Sequence, residues 1–188
     1  MSGWDYSGNG FYYITIMVQH RKCLFGKIEN DKMIFSDFGK IVNNEWYSSF
    51  EIRQELFLDE FILMPNHLHA IVVIKKPDDS HVETHGRDLH DETHGRASLR
   101  VNHPTNPKFY RKPKSLSSFI SGYKSVVTTK IDDFIDLHKL PIEKYNRENK
   151  FWQSNYHDHI IRNEDEYWRI KKYIRNNPKN WTDDDLFG

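Results

Sequence analysis

The sequence predicts an α+β fold: a ferredoxin-like four-stranded antiparallel sheet with two helices on one face and an added C-terminal helix. Two observations carry this prediction. Segments patterned as strands and helices follow one another in the order β-α-β-β-α-β-α. The two adjacent strand-like runs are separated only by Pro65-Asn66, a turn short enough to make them antiparallel neighbours.

Residues 11–19 are aromatic and β-branched and predict the first strand. Over 36–50, Phe38, Ile41, Val42, Trp46 and Phe50 fall at helical spacing, with Ser36 or Asp37 as the cap. Residues 54–64 and 67–74 predict the second and third strands. Residues 115–137 carry a helical stripe from Leu116, Phe119, Ile120 and Tyr123 through Val126, Val127, Ile131, Phe134 and Ile135, and Ser115 is placed to cap it. A fourth strand is expected near 156–161. The last helix is expected over about 164–177, with Asn163 as N-cap, Glu166 completing a capping box and Pro178 ending it. This helix is free to pack near the other face of the sheet.

The length suits one domain over 1–188. Residues 75–114 are rich in His, Asp, Arg, Thr and Pro and nearly devoid of large apolar side chains, so a flexible insertion loop is expected at about 77–112. Inside it Glu83-Thr84-His85-Gly86-Arg87 recurs as Glu92-Thr93-His94-Gly95-Arg96, a local duplication. Lysine plus arginine and aspartate plus glutamate both number 27, so any nucleic-acid-binding surface must be a local patch. The single cysteine, Cys23, excludes an internal disulfide and suits a reducing compartment. The sequence shows neither a signal peptide nor a run approaching the roughly 20 apolar residues of a membrane span, so a soluble, cytoplasmic protein is expected.

Two small constellations bear on chemistry. In a strand, His67 and His69 point the same way, roughly 7 Å apart along the chain, and two imidazoles so placed can grip one metal ion. In a chain with 11 histidines the pair equally suits two structural residues. On the last helix, Tyr173 and Asn177 stack one turn apart, roughly 40° around the axis. A tyrosine hydroxyl can act as a covalent nucleophile and an amide oxygen can complete a metal's coordination. The same two residues also suit a core aromatic and a helix terminator ahead of Pro178.

Taken together, these residues resemble the REP-associated tyrosine transposases, a branch of the single-tyrosine HUH endonucleases named for a His-hydrophobic-His motif. Pro65-Asn66-His67-Leu68-His69 matches the motif, Tyr173-Ile174-Arg175-Asn176-Asn177-Pro178 matches the C-terminal Tyr-Ile-x-x-Asn-Pro, and Phe151-Trp152-Gln153 and Gly122-Tyr123-Lys124-Ser125 lie between them in order. The resemblance spans about residues 10–180 apart from the loop, whose histidines 81, 85, 90, 94 and 103 are not read as ligands.

The resemblance implies a divalent metal, Mg²⁺ or Mn²⁺, held by His67, His69 and Asn177. It also implies cleavage of single-stranded or hairpin DNA by Tyr173, which would become joined to the 5′ phosphate and free a 3′ hydroxyl. On donor softness alone, Mn²⁺ or Zn²⁺ would also be tolerated. The resemblance is compatible with a homodimer as well as a monomer. Candidate DNA contacts are Lys124 and Lys130 on the second helix and Lys172, Arg175 and Lys179 at the last, each of which also suits a solvated helix face. Trp152, Trp168 and Trp181 are candidates for stacking on bases, with core or rim packing as the other role.

Overall fold

The computed structural model describes residues 9–75, 115–184 and 186. The expected insertion loop at about 77–112 lies outside them. The strands are β1 (Gly10–Met17), β2 (Gly26–Glu29), β3 (Lys32–Phe35), β4 (Leu56–Leu63), β5 (His67–Ile74) and β6 (His157–Ile161). The helices are α1 (Asp37–Glu51), α2 (Leu116–Leu137) and α3 (Glu164–Asn176). Four strands form an antiparallel sheet in the order β4-β5-β1-β6. This is the ferredoxin-like arrangement the sequence predicts, with the two central strands contributed by β5 and β1.

Alternation along the strands divides the molecule into two cores. Tyr12, Ile14 and Ile16 of β1 and Leu68, Ala70, Val72 and Ile74 of β5 face α1 and α2, forming the main core with Val42, Trp46, Phe119, Ile120 and Tyr123. Trp46 stacks on Phe61 at 5.3 Å and meets Tyr123 edge-on at 4.9 Å, and the Tyr123 hydroxyl donates to the Val42 carbonyl at 3.0 Å. The opposite parity faces α3, where Ile71 meets Ile170 and Ile174 with Tyr13, Ile62, Ile161 and Tyr167 around them. Every residue of β5 is buried because both of its faces are covered.

Caps are settled by hydrogen bonds. The Ser36 hydroxyl accepts from Gly39 N–H, and Ser115 and Ser118 form a reciprocal capping box on α2. Asn163 caps α3 by accepting from Glu166 N–H. Glu166 does not close the expected box: its carboxylate accepts from the Arg162 N–H at 3.0 Å and bonds His159 at 2.8 Å.

Three features depart from the sequence reading. A hairpin, β2–β3, is inserted between β1 and α1. Its two-residue turn places Asn30 at φ 50° and Asp31 at φ 60°, as a type I′ turn requires. Pro178 ends the α-helix at Asn176 but does not end helical structure, since it starts a 3₁₀ segment, Asn177–Asp183, that lies against β3. Third, β4 contains a bulge between Leu58 and Glu60. Leu58 and Phe61 pack toward the main core, while Asp59 and Glu60 both reach α3. The Asp59 carboxylate accepts from Tyr167 Oη at 3.0 Å and Lys171 Nζ at 3.1 Å, and Glu60 accepts from Arg175 Nε at 2.7 Å. Ile170 and Ile174 are the buried residues of α3, and this polar clamp adds a second set of ties between the helix and the sheet.

Candidate active site

His67 and His69 occupy alternate positions on β5, on the face turned toward α3 and the C-terminal 3₁₀ segment. Both are buried, at 0% and 1% exposure. Their Nε2 atoms lie 3.0 Å apart. The opposite nitrogens are held by polar neighbours. His67 Nδ1 is 2.7 Å from Asn66 Oδ1. His69 Nδ1 is 2.8 Å from Thr15 Oγ1, its cross-strand partner in the β1–β5 ladder, and 2.9 Å from the Tyr13 hydroxyl.

α3 delivers Tyr173 to this pair. Its hydroxyl is 3.4 Å from His69 Nε2, with the rings 5.3 Å apart, and the side chain is 44% exposed, so the phenol is open to a substrate from one side. Asn177 is buried just beyond the helix end. The 3₁₀ segment then turns the chain back so that Asp184 Oδ2 accepts from Asn177 Nδ2 at 2.8 Å and from the Tyr173 hydroxyl at 3.4 Å. Asp184 Oδ1 accepts from Leu186 N–H at 2.7 Å. The Trp181 ring lies 5.9 Å from that of His67 and walls the site.

Burial dominates the protonation of these groups. It lowers the His67 pKa to about 4, opposed by the charge of Asp184, and holds His69 well below the usual imidazole value, with His67 and His157 adding to the effect. Burial raises the Tyr13 hydroxyl to about 12 and raises Tyr173 as well, with Tyr13 and Asp184 adding to the latter. Both imidazoles are therefore neutral at neutral pH, the form that binds metal.

The donors fit a cation. Two ligand atoms about 2.1 Å from one ion and at right angles lie about 3.0 Å apart, and the two Nε2 atoms are separated by 3.0 Å. Asp184 belongs to the same group: ligand atoms of His67, His69 and Asp184 all lie within 4.8 Å of one another. Asn177 Oδ1 is buried without a hydrogen-bond partner among the described residues, an acceptor awaiting a positive charge. The donor set, two imidazoles and oxygens, suits Mn²⁺ or Zn²⁺ well and admits Mg²⁺ through its oxygens.

The structure thus brings together four residues singled out from the sequence, His67, His69, Tyr173 and Asn177, and adds Asp184, Asn66, Thr15 and Tyr13. The candidate DNA contacts are dispersed. Lys124 Nζ donates to the Gln153 and Asn155 carbonyls, Lys130 pairs with Glu45, and Arg175 pairs with Glu60, while Lys172 and Lys179 are exposed. Of the three tryptophans named as stacking candidates, Trp152 and Trp181 are buried and Trp168 is 54% exposed.

No protein-family model matches the chain. An uncharacterized protein of Haemophilus influenzae is 31% identical over 187 residues, covering 98% of this chain and 88% of that protein. The solved structure of a REP-associated tyrosine transposase bound to a REP hairpin matches with a TM-score of 0.54 at 16% identity, over 96% of this chain and 74% of that one. Among the described residues, no helix is long and apolar enough to cross a membrane. The chain therefore belongs to one family with the Haemophilus influenzae protein, and its fold is like that of the REP-associated tyrosine transposase.

Proposed function

We propose that this protein is a metal-dependent single-stranded DNA endonuclease and strand transferase that acts on hairpin repeat DNA through a covalent 5′-phosphotyrosine. The observation that carries the reading is the approach of the Tyr173 hydroxyl to within 3.4 Å of His69 Nε2, beside a pair of imidazoles spaced for one ion. His67, His69 and Asn177, with Asp184 at the edge of the same donor set, would hold Mg²⁺ or Mn²⁺. Such an ion, when bound, polarises a phosphate oxygen and eases the charge that develops on it.

The rest of the step belongs to the chain. Tyr173 Oη forms a bond to phosphorus as the bond from phosphorus to the 3′ oxygen breaks. Asp184 Oδ2, 3.4 Å from the hydroxyl, takes the phenolic proton. The departing 3′ oxygen takes a proton from solvent water and leaves as a free hydroxyl, and Asp184 later returns its proton to solvent. Burial raises the Tyr173 pKa in the metal-free protein, so the hydroxyl needs a nearby acceptor for its proton. The phosphotyrosine keeps the bond energy, so a 3′ hydroxyl can reverse the step and rejoin strands. The REP hairpin held by the structural neighbour supports a hairpin-bearing single strand as substrate.

The test is a nicking assay on single-stranded DNA carrying a hairpin repeat, with Mg²⁺, Mn²⁺ or chelator, comparing wild type and Tyr173→Phe. The expected result is a covalent protein–DNA band that needs metal and is absent from the variant. Binding of the strand with no covalent band under any metal would make the protein a non-catalytic single-strand binder.

A further inference from the structure

Asn66 is fully buried, and its side chain meets three separate parts of the chain. Its Nδ2 lies 3.1 Å from the Arg21 carbonyl and 2.8 Å from the Leu186 carbonyl. Carbonyl oxygens only accept, so the nitrogen must face them and Oδ1 must face His67. That oxygen, 2.7 Å from His67 Nδ1, can in turn only accept. A neutral His67 must then carry its proton on Nδ1 and present a bare Nε2 lone pair. In the metal-free protein His69 then donates from Nε2 to that lone pair at 3.0 Å, while the hydroxyls of Thr15 and Tyr13 at its Nδ1 can donate or accept by rotating and so suit either tautomer of His69.

The second bond has a separate consequence. Leu186 N–H is held by Asp184 Oδ1 at 2.7 Å. Fixing the Leu186 carbonyl therefore also anchors the chain end that brings Asp184 to Tyr173 and Asn177. The third bond reaches the loop after β1, where His20 and Arg21 adopt φ of 58° and 54°, a conformation that side-chain-bearing residues rarely hold without support.

We propose that Asn66 is the positioning residue of the metal site, fixing His67 in the Nδ1–H tautomer and holding in place the C-terminal segment that supplies Asp184. This rests on the metal-site reading above. Asn66 touches no reacting atom and acts through His67 and Asp184.

The first measurement needs no variant. Nitrogen-15 NMR of the histidines in metal-free wild type should show His67 protonated at Nδ1 and bare at Nε2; the opposite tautomer overturns the proposal. Mn²⁺ affinity, read by calorimetry or electron paramagnetic resonance, should then fall about ten- to a hundredfold in Asn66→Ala. In Asn66→Asp, which keeps an acceptor toward His67 but loses the donor toward Leu186, the fall should be smaller. Because Asn66 acts partly by anchoring Asp184, the losses in Asn66→Ala and Asp184→Ala should be less than additive in the double variant. Unchanged Mn²⁺ affinity in folded Asn66→Asp and Asn66→Ala overturns the role of Asn66 while leaving the metal site standing. A wild type that binds no Mn²⁺ overturns both.

Discussion

Acidifying the metal-free protein should destabilise it through the histidine pair. Unfolding returns both imidazoles to an ordinary pKa near 6.5, whereas the folded protein holds His67 at about 4. Between these values the unfolded chain binds a proton that the folded chain refuses. The stability His67 contributes is thus fully present above about pH 6.5 and is lost as pH falls toward about 4. Each tenfold difference in proton affinity is worth about 1.4 kcal/mol, which gives a loss of about 2 kcal/mol by pH 5 and a ceiling of about 3 kcal/mol. His69, depressed in the same direction, adds to it. The assay is urea unfolding followed by tryptophan fluorescence, in chelator, at steps from about pH 7.5 to about pH 5, on wild type and His67→Gln. The wild type should lose about 2 kcal/mol more than the variant over that range, since glutamine does not titrate. Saturating Mn²⁺ should flatten the wild-type curve, because the ion competes with the proton for the same lone pairs. Parallel curves for the two proteins in chelator would refute the claim that burial of neutral His67 sets its acid sensitivity.

Two further outcomes follow from packing. Gly39→Ala should destabilise the protein by about 1–3 kcal/mol in urea unfolding, although alanine favours helices, because the added Cβ would lie 2.0 Å from the Phe25 carbonyl oxygen; a stabilised variant would show that α1 shifts freely. Asp59→Asn should cost about 2 kcal/mol and speed amide hydrogen exchange in α3 ahead of the rest of the molecule, since it weakens the bonds from Lys171 and Tyr167; uniform exchange would show that α3 does not depend on the clamp.

The four sheet strands and three helices were legible because each has a hydrophobic period that survives in one dimension. The stripe from Leu116 to Ile135 and the alternation in β5 are clear cases. The β2–β3 hairpin was not legible, because its strands have four residues each and its turn is Asn30-Asp31 rather than the glycine-containing pair that usually signals such a turn. His67, His69, Tyr173 and Asn177 stood out as spaced pairs on single elements. Asp184 did not, because its place depends on the 3₁₀ turn after Pro178, and nothing in the acidic run 183–185 distinguishes the residue that folds back. Thr15 becomes visible only when the β1–β5 register sets it opposite His69. In the same way, the basic stripe on the last helix reads as free charge until Glu60 is found beside Arg175.

The bulge in β4 gives that strand an unusual tolerance. On either side of Asp59 the residues already alternate in phase: Leu56 and Leu58 toward the main core with Phe57 opposite, then Glu60 and Ile62 opposite with Phe61 and Leu63 inward. Removing Asp59 alone would join the two halves into a regular strand and leave every other side chain on its present face. Loss of one residue near either end of the strand would turn the residues beyond it inside out. The adjacent pair Asp59 and Glu60 is thus the place in β4 at which loss of one residue alters the attachment of the tyrosine-bearing helix without turning over the rest of the strand, so the grip on that helix can change independently of the scaffold beneath it.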